Sequence, residues 1–363
     1  MNRMSRAGLC LVLAATGCSN APITGGDGGD VAAADARVDA TDTGSPDLDS
    51  AMVDDTPADT IVPVADAPAD DVPVPPADAS TGSPAGTGPY TVTRTTPAVT
   101  GATVVVFDPA VPAGTRAPIV MFKHGFQLST ANYATMLAQI ASHGYIVVSV
   151  DSGGGLIGGP TQVQERDAVI TALGWAVSSA APFAAHADAA HVAAMGHSRG
   201  GKIAVMVAAA DPRVSALVGL DPVNACGPGQ AYSADCPDVT MGAFAPVLSM
   251  PIGLMGETAD AAGGFMPCAP AAQNYATIYR ATSASTWVAS WTIAGAAHMT
   301  FTDDGGGFAG AFCAAATGNV ATIREEILTL AVAFLDRHLH GDTSRDPWLT
   351  GALVPTSVTL EHH

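Results

Sequence analysis

Basic residues are scarce in this 363-residue chain: lysine and arginine together number 14 against 33 aspartates and glutamates, for a formal net charge of −19. A chain so poor in cations has no basic face with which to bind nucleic acid. It also lacks a dinucleotide fingerprint, a phosphate-binding loop and any C-x-x-C pair, so no cofactor is implied and a zinc site has little to stand on. Asp303 and Asp304 with Asp151 form an acidic grouping for which calcium is the alternative, and the reading taken is a solvated loop. The apolar segment Ala7 to Ala15 falls far short of the ~20 residues needed to span a bilayer.

That short segment has another reading. It follows a basic start, Met1 to Arg6, and precedes Thr16-Gly17-Cys18, a pattern expected of a bacterial lipoprotein signal in which Cys18 becomes the lipidated first residue. A plain secretory signal is the rival, and either one implies export, to the cell envelope or beyond. Residues 19–88 contain 14 Asp, no Glu and one Arg, and they lack Tyr and Trp, so most of the acidity sits in a tract that cannot bury a core. We expect a disordered tether kept extended by its own charge. At the other end, 349–363 is expected to be a tail outside the fold, with Leu360 to His363 read as a tag remnant.

The remainder, 89–348, is long enough for one large domain, expected to be monomeric. It holds Cys226, Cys236, Cys268 and Cys313, an even count that favours two disulfides in an exported chain. Three pairings are available; the expected one joins Cys226 to Cys236 and Cys268 to Cys313. Strand-like apolar runs at 117–123, 145–150 and 214–220 alternate with helical stretches, which predicts a mostly parallel, doubly wound α/β sheet flanked by helices. In such sheets function gathers at the carboxyl ends of strands, where His124, Asp151, Ser198 and Asp221 fall.

Between an apolar strand ending at Met195 and an apolar helix beginning near Lys202 lies Gly196-His197-Ser198-Arg199-Gly200-Gly201. This is the sequence of a nucleophile elbow, in which a tight strand-to-helix turn lifts Ser198 out of the fold. Its base is expected after the last strand, and His298 follows the strand-like run 285–293. Two backbone amides must face the oxyanion of an acyl intermediate. Arg199, directly after the nucleophile, supplies one, and Phe126, after His124 and Gly125, supplies the other.

Taken together, His124-Gly125-Phe126, the stretch 140–147, the elbow through Lys202, Leu220-Asp221-Pro222-Val223, the stretch 267–270 and His298 with Asp303 and Asp304 resemble the α/β-hydrolase fold and, within it, the chlorophyllase family. The similarity to cutinases and bacterial polyester hydrolases is looser. The resemblance implies a serine esterase with its triad in the chain order Ser, Asp, His, and no separate lid domain. It places the acid at Asp221; the cutinase pattern would place it one strand later, at Glu257 or Asp260. It also makes His124 a scaffold residue. Chlorophyllases cleave the phytyl ester of chlorophyll, but nothing in this chain demands that substrate.

An open groove lined by Phe126, Leu128, the 153–159 loop, Val223, Phe265 and Met266 is expected to take esters with apolar acyl or alcohol groups. A polyester hydrolase is the alternative, weakened because Val223 stands where those enzymes carry tryptophan. From another class, a non-catalytic surface binding lipoprotein on a hydrolase scaffold would explain the fold without the chemistry.

Overall fold

The computed structural model describes residues 84–152, 159–227, 229–261 and 267–363. The signal-like segment, Cys18, the tether to residue 83, the loop at 153–158, Phe265 and Met266 lie outside the described residues.

One ten-stranded sheet organises everything that is described. At its first edge, β1 (Val92–Thr95) and β2 (Ala98–Val99) pair antiparallel with β3 (Ala102–Pro109), which pairs antiparallel with β5 (Ile146–Asp151). From β5 inward the pairing is parallel, through β4 (Ala117–Lys123), β6 (Ala187–His197), β7 (Val214–Leu220), β8 (Ile252–Glu257) and β9 (Val288–Ile293). The spatial order β5-β4-β6 reverses direction between β4 and β6. A crevice therefore opens at their carboxyl ends, the usual place for a ligand in such a sheet.

Central strands buried on both faces read as continuous apolar runs, and their period of two divides them between two cores. Val120 and Phe122 of β4 face α1 (Ala134–Ser142), whereas Ile119 and Met121 face α2 (Gln162–Ala176) and α3 (Arg199–Ala210). A short α4 (Tyr275–Ala281) adds Ile278 to the second core; α5 (Gly307–Gly310) follows β9. The longest helix, α6 (Val320–Leu339), lays Ile327, Ala331, Phe334 and Leu335 on the first core, and α7 (Asp346–Leu349) adds Leu349. Among the described residues no helix is long and apolar enough to cross a membrane.

One expectation is corrected at the C-terminus. Residues 358–362 do not stand outside the fold: they form β10 (Val358–His362), antiparallel to β9, with Leu360 opposite Trp291. Val358 and Leu360 pack against the first core while Thr359 and Glu361 face out, the alternation that a half-buried edge strand requires.

Candidate active site

The elbow between β6 and α3 is built by close approach. A Cβ on Gly196 would lie 2.3 Å from the carbonyl oxygen of Gly200, and one on Gly200 would lie 2.1 Å from that of Lys123, so neither position admits a side chain. The turn forces Ser198 into φ 56°, ψ −126°, a strained conformation held from both sides. The Ser198 amide donates to Leu220 O at 3.0 Å, and the Val223 amide donates to Ser198 O at 3.1 Å. Although Ser198 is the N-cap of α3, its hydroxyl makes no capping bond. It lies instead 2.8 Å from His298 Nε2.

The other imidazole nitrogen, His298 Nδ1, meets Asp221 Oδ2 at 2.6 Å. Asp221 directly follows β7 with φ 41°, its amide bonded to Met255 O. Burial raises its carboxyl above the usual range, opposed by the hydrogen bond from His298. The two alternative acids sit nearby with other partners. Glu257 accepts from the amides of Asp260 and Ala261, and burial, followed by the charge of Asp221, pushes it up to about 7. Asp260 accepts from the backbone amides of Cys268, Ala314 and His298.

Gly125 packs against Ser198, which brings the Gly125-Phe126 turn beside its hydroxyl. Phe126 is 40 % exposed, and the Arg199 guanidinium lies over its ring at 5.3 Å. A cavity of about 600 Å³ opens over Ser198 and His298, lined also by Phe126, Leu128 and Val223. Cys226 is bonded to Cys236 and Cys268 to Cys313, the expected one of the three pairings, and three of the four cysteines line that cavity. His124 lies buried beside the cavity, its Nε2 2.7 Å from Lys123 Nζ and 3.1 Å from the Ser152 amide that donates to it.

A model of the chlorophyllase family matches residues 86–352 of this chain. The chain belongs to the chlorophyllase family. It is 31% identical to Chlorophyllase-1 of Arabidopsis thaliana over 270 residues, covering 69% of this chain and 82% of the relative. Chlorophyllase-2 of the same plant is 29% identical over 245 residues, with 62% and 74% covered, and Chlorophyllase-1, chloroplastic, of Citrus sinensis is 26% identical over 234 residues, with 62% and 69% covered. These matches are those of a chlorophyllase-like ester hydrolase on an α/β sheet.

Within this chlorophyllase-family domain, sequence reasoning missed a buried chain of hydrogen bonds behind the elbow. The Gly125 amide donates to Tyr133 Oη at 3.1 Å, Tyr133 Oη lies 2.7 Å from His197 Nδ1, and His197 Nε2 lies 3.0 Å from the carbonyl oxygen of His298. One tautomer satisfies all three: Nε2–H donates to the carbonyl and Nδ1 accepts from the tyrosine. Burial, then the neighbouring His298, holds the His197 pKa well below its ordinary value, so the ring is neutral. Asp260 was weighed only as a triad acid, yet its carboxylate ties the Cys268 and Cys313 loops to the backbone of His298.

The carboxylates considered for calcium accept hydrogen bonds from nearby groups of the chain. Asp303 accepts from the backbone amides of Thr135 and Met136 in the first turn of α1, Asp304 from Asn132 Nδ2 and the Gly306 amide, and Asp151 from the Thr130 amide. Among the described residues, the one metal-spaced grouping is Asp260 with Cys268 and Cys313. Both sulfurs are committed to a disulfide, and Asp260 to three amides, so that grouping offers no thiolate ligand.

Proposed function

We propose that this chlorophyllase-family chain is a serine carboxylesterase that works through an acyl-enzyme. The observation that carries the reading is the unbroken contact from Ser198 Oγ through the His298 ring to Asp221 Oδ2, at 2.8 and 2.6 Å. In the first half-reaction Ser198 Oγ attacks the ester carbonyl carbon while its proton passes to His298 Nε2. Asp221 holds the imidazole in the tautomer that leaves Nε2 free to accept, and it stabilises the imidazolium that forms.

The carbonyl oxygen gains a full negative charge at the tetrahedral stage, and the amides of Phe126 and Arg199 are the donors assigned to it. When the carbon–oxygen bond breaks, Nε2 returns its proton to the departing alcohol. Water then loses a proton to Nε2 as it attacks the acyl carbon, and the acid leaves as Ser198 recovers its hydrogen.

Leu128 and Val223, with Met299 and Phe312, give the 600 Å³ cavity largely apolar walls, which suits an apolar acyl or alcohol group. Hydrolysis of p-nitrophenyl butyrate and octanoate by the full chain, beside Ser198→Ala, tests the reading. The variant is expected to lose about a thousandfold or more in kcat. Equal rates from both proteins, or none from either, would leave a binding protein on a hydrolase scaffold as the better reading.

A further inference from the structure

A peptide unit is planar and trans, so its carbonyl and its N–H point in opposite directions. The Phe126 N–H, assigned above to the oxyanion, shares its peptide unit with the Gly125 carbonyl. Whatever holds Gly125 O therefore aims the Phe126 N–H. Two groups hold it. The Leu128 amide donates to Gly125 O at 3.2 Å, closing a four-residue turn in which Gln127 takes φ 58°, and His124 Nδ1 lies 2.8 Å from the same oxygen. That φ is unfavourable for a residue with a Cβ, so the turn needs a restraint beyond its own hydrogen bond.

The far nitrogen of the His124 ring decides where its hydrogen sits. Nε2 accepts from the Ser152 amide at 3.1 Å and faces the Lys123 ammonium at 2.7 Å, and both of those groups are donors. A hydrogen on Nε2 would confront the two of them, so the hydrogen of the neutral ring is on Nδ1, from which it is donated to Gly125 O. Burial, then the charge of Lys123, lowers the His124 pKa to about 4, and the ring is neutral at ordinary pH. The ammonium is itself fixed. Lys123, 2 % exposed, donates to Ser152 Oγ at 2.7 Å and to Val150 O at 3.3 Å, with Glu165 Oε1 3.6 Å away. Burial lowers its pKa to about 8, which leaves it charged at neutral pH. Asp151 Oδ1 stands 3.8 Å from Nε2, out of hydrogen-bond reach, and accepts instead from the amide and hydroxyl of Thr130.

On the serine esterase reading, we infer that His124 is a positioning residue: its Nδ1–H holds the Gly125 carbonyl so that the Phe126 N–H faces the oxyanion, while Lys123 and Ser152 keep that hydrogen on Nδ1. His124 acts through the backbone and not on the ester, which gives a specific task to the scaffold role implied by the family resemblance.

The test uses the full chain with p-nitrophenyl octanoate as substrate and octyl trifluoromethyl ketone as inhibitor. Ser198 Oγ adds to the ketone carbon, its proton passes to His298 Nε2, and the ketone oxygen becomes an oxyanion. His124→Leu is expected to lower kcat by roughly tenfold or more with KM little changed, and to raise the Ki of the ketone by a similar factor, because a misaimed amide is felt only once the oxyanion forms. His124→Asn, whose side-chain amide nitrogen reaches the place of Nδ1, is expected to recover most of both losses. Should His124→Leu fail to fold, 15N spectra of histidine-labelled wild type, with the ring assigned through His124→Asn, are expected to show the hydrogen on Nδ1. An unchanged kcat and Ki, a loss confined to KM, an asparagine variant as poor as the leucine one, or a hydrogen on Nε2 overturns this inference and leaves the esterase standing. A wild type that neither hydrolyses the ester nor binds the ketone overturns both.

Discussion

Tyr133 Oη lies 2.7 Å from His197 Nδ1, and through that contact a tyrosine at the start of α1 joins the Gly125-Phe126 turn to the loop of His298. The tyrosine is fully buried, accepts from Gly125 and donates to His197. It thereby sets the positions of two parts of the site that the chain separates by more than 150 residues.

Tyr133→Phe keeps the ring and its edge contact with Phe122 but leaves the Gly125 amide and His197 Nδ1 without partners. We expect a stability loss of about 1–3 kcal/mol from the two buried groups. We further expect kcat to fall roughly tenfold with KM little changed, because the misplaced oxyanion amide matters only after attack. Denaturant melts and steady-state kinetics on one soluble ester check both, and an unchanged kcat would make the contact merely structural.

Glu257 predicts a pH signature. Its carboxyl stands at about 7 in the fold against 4.5 ordinarily, so the folded state holds a proton that the unfolded chain has released between those values. Its contribution is present below about pH 4.5 and is lost as pH rises through about 7. The difference in unfolding free energy between wild type and Glu257→Gln should therefore shift by up to about 3 kcal/mol across that window, with the variant gaining relative stability at the alkaline end. A pH-independent difference would mean that the carboxyl titrates normally.

Gly200 makes the elbow sensitive to a single methyl group. Alanine in a helix ordinarily gains about 1 kcal/mol over glycine, but here the added Cβ would meet the Lys123 carbonyl at 2.1 Å. Gly200→Ala is expected to lower the melting temperature and cut kcat by about a hundredfold or more, as β4 and α3 are pushed apart under Ser198. A gain in stability would show that the elbow can relax.

The Cys268–Cys313 disulfide closes a separation of 45 residues, so its removal in a Cys268→Ser, Cys313→Ser double variant should cost about 4 kcal/mol from loop entropy. Because Asp260 bonds the Cys268 amide and the His298 amide at once, catalysis should weaken as well. The corresponding change at Cys226 and Cys236, only 10 residues apart, should cost less. Thermal melts of the two double variants, run side by side, give the order.

Much of this was legible beforehand because local rules acted alone. β4 and β7 are apolar runs buried on both faces, and their limits at 117–123 and 214–220 emerge as read. The elbow was visible because close backbone approach demands glycine at two fixed places, and the contact of Ser198 with His298 was expected from their places after the sixth and ninth strands. The Tyr133–His197 contact was not legible, since it joins residues 64 apart and nothing local marks either as a partner. β10 was misread because its composition resembles an expression tag, while its alternation counts only once β9 is seen to lack a neighbour.

The bonds from the Ser198 amide to Leu220 and from the Val223 amide to Ser198 bracket Asp221 on both sides. Ser198 and Asp221, the nucleophile and acid of the proposed mechanism, thus share one backbone clasp, and no residue can be inserted between Leu220 and Val223 without parting them. A protein engineer, or evolution, seeking a different substrate range has the 224–251 stretch to rewrite, and diversity among relatives should accumulate there while the clasp keeps its length.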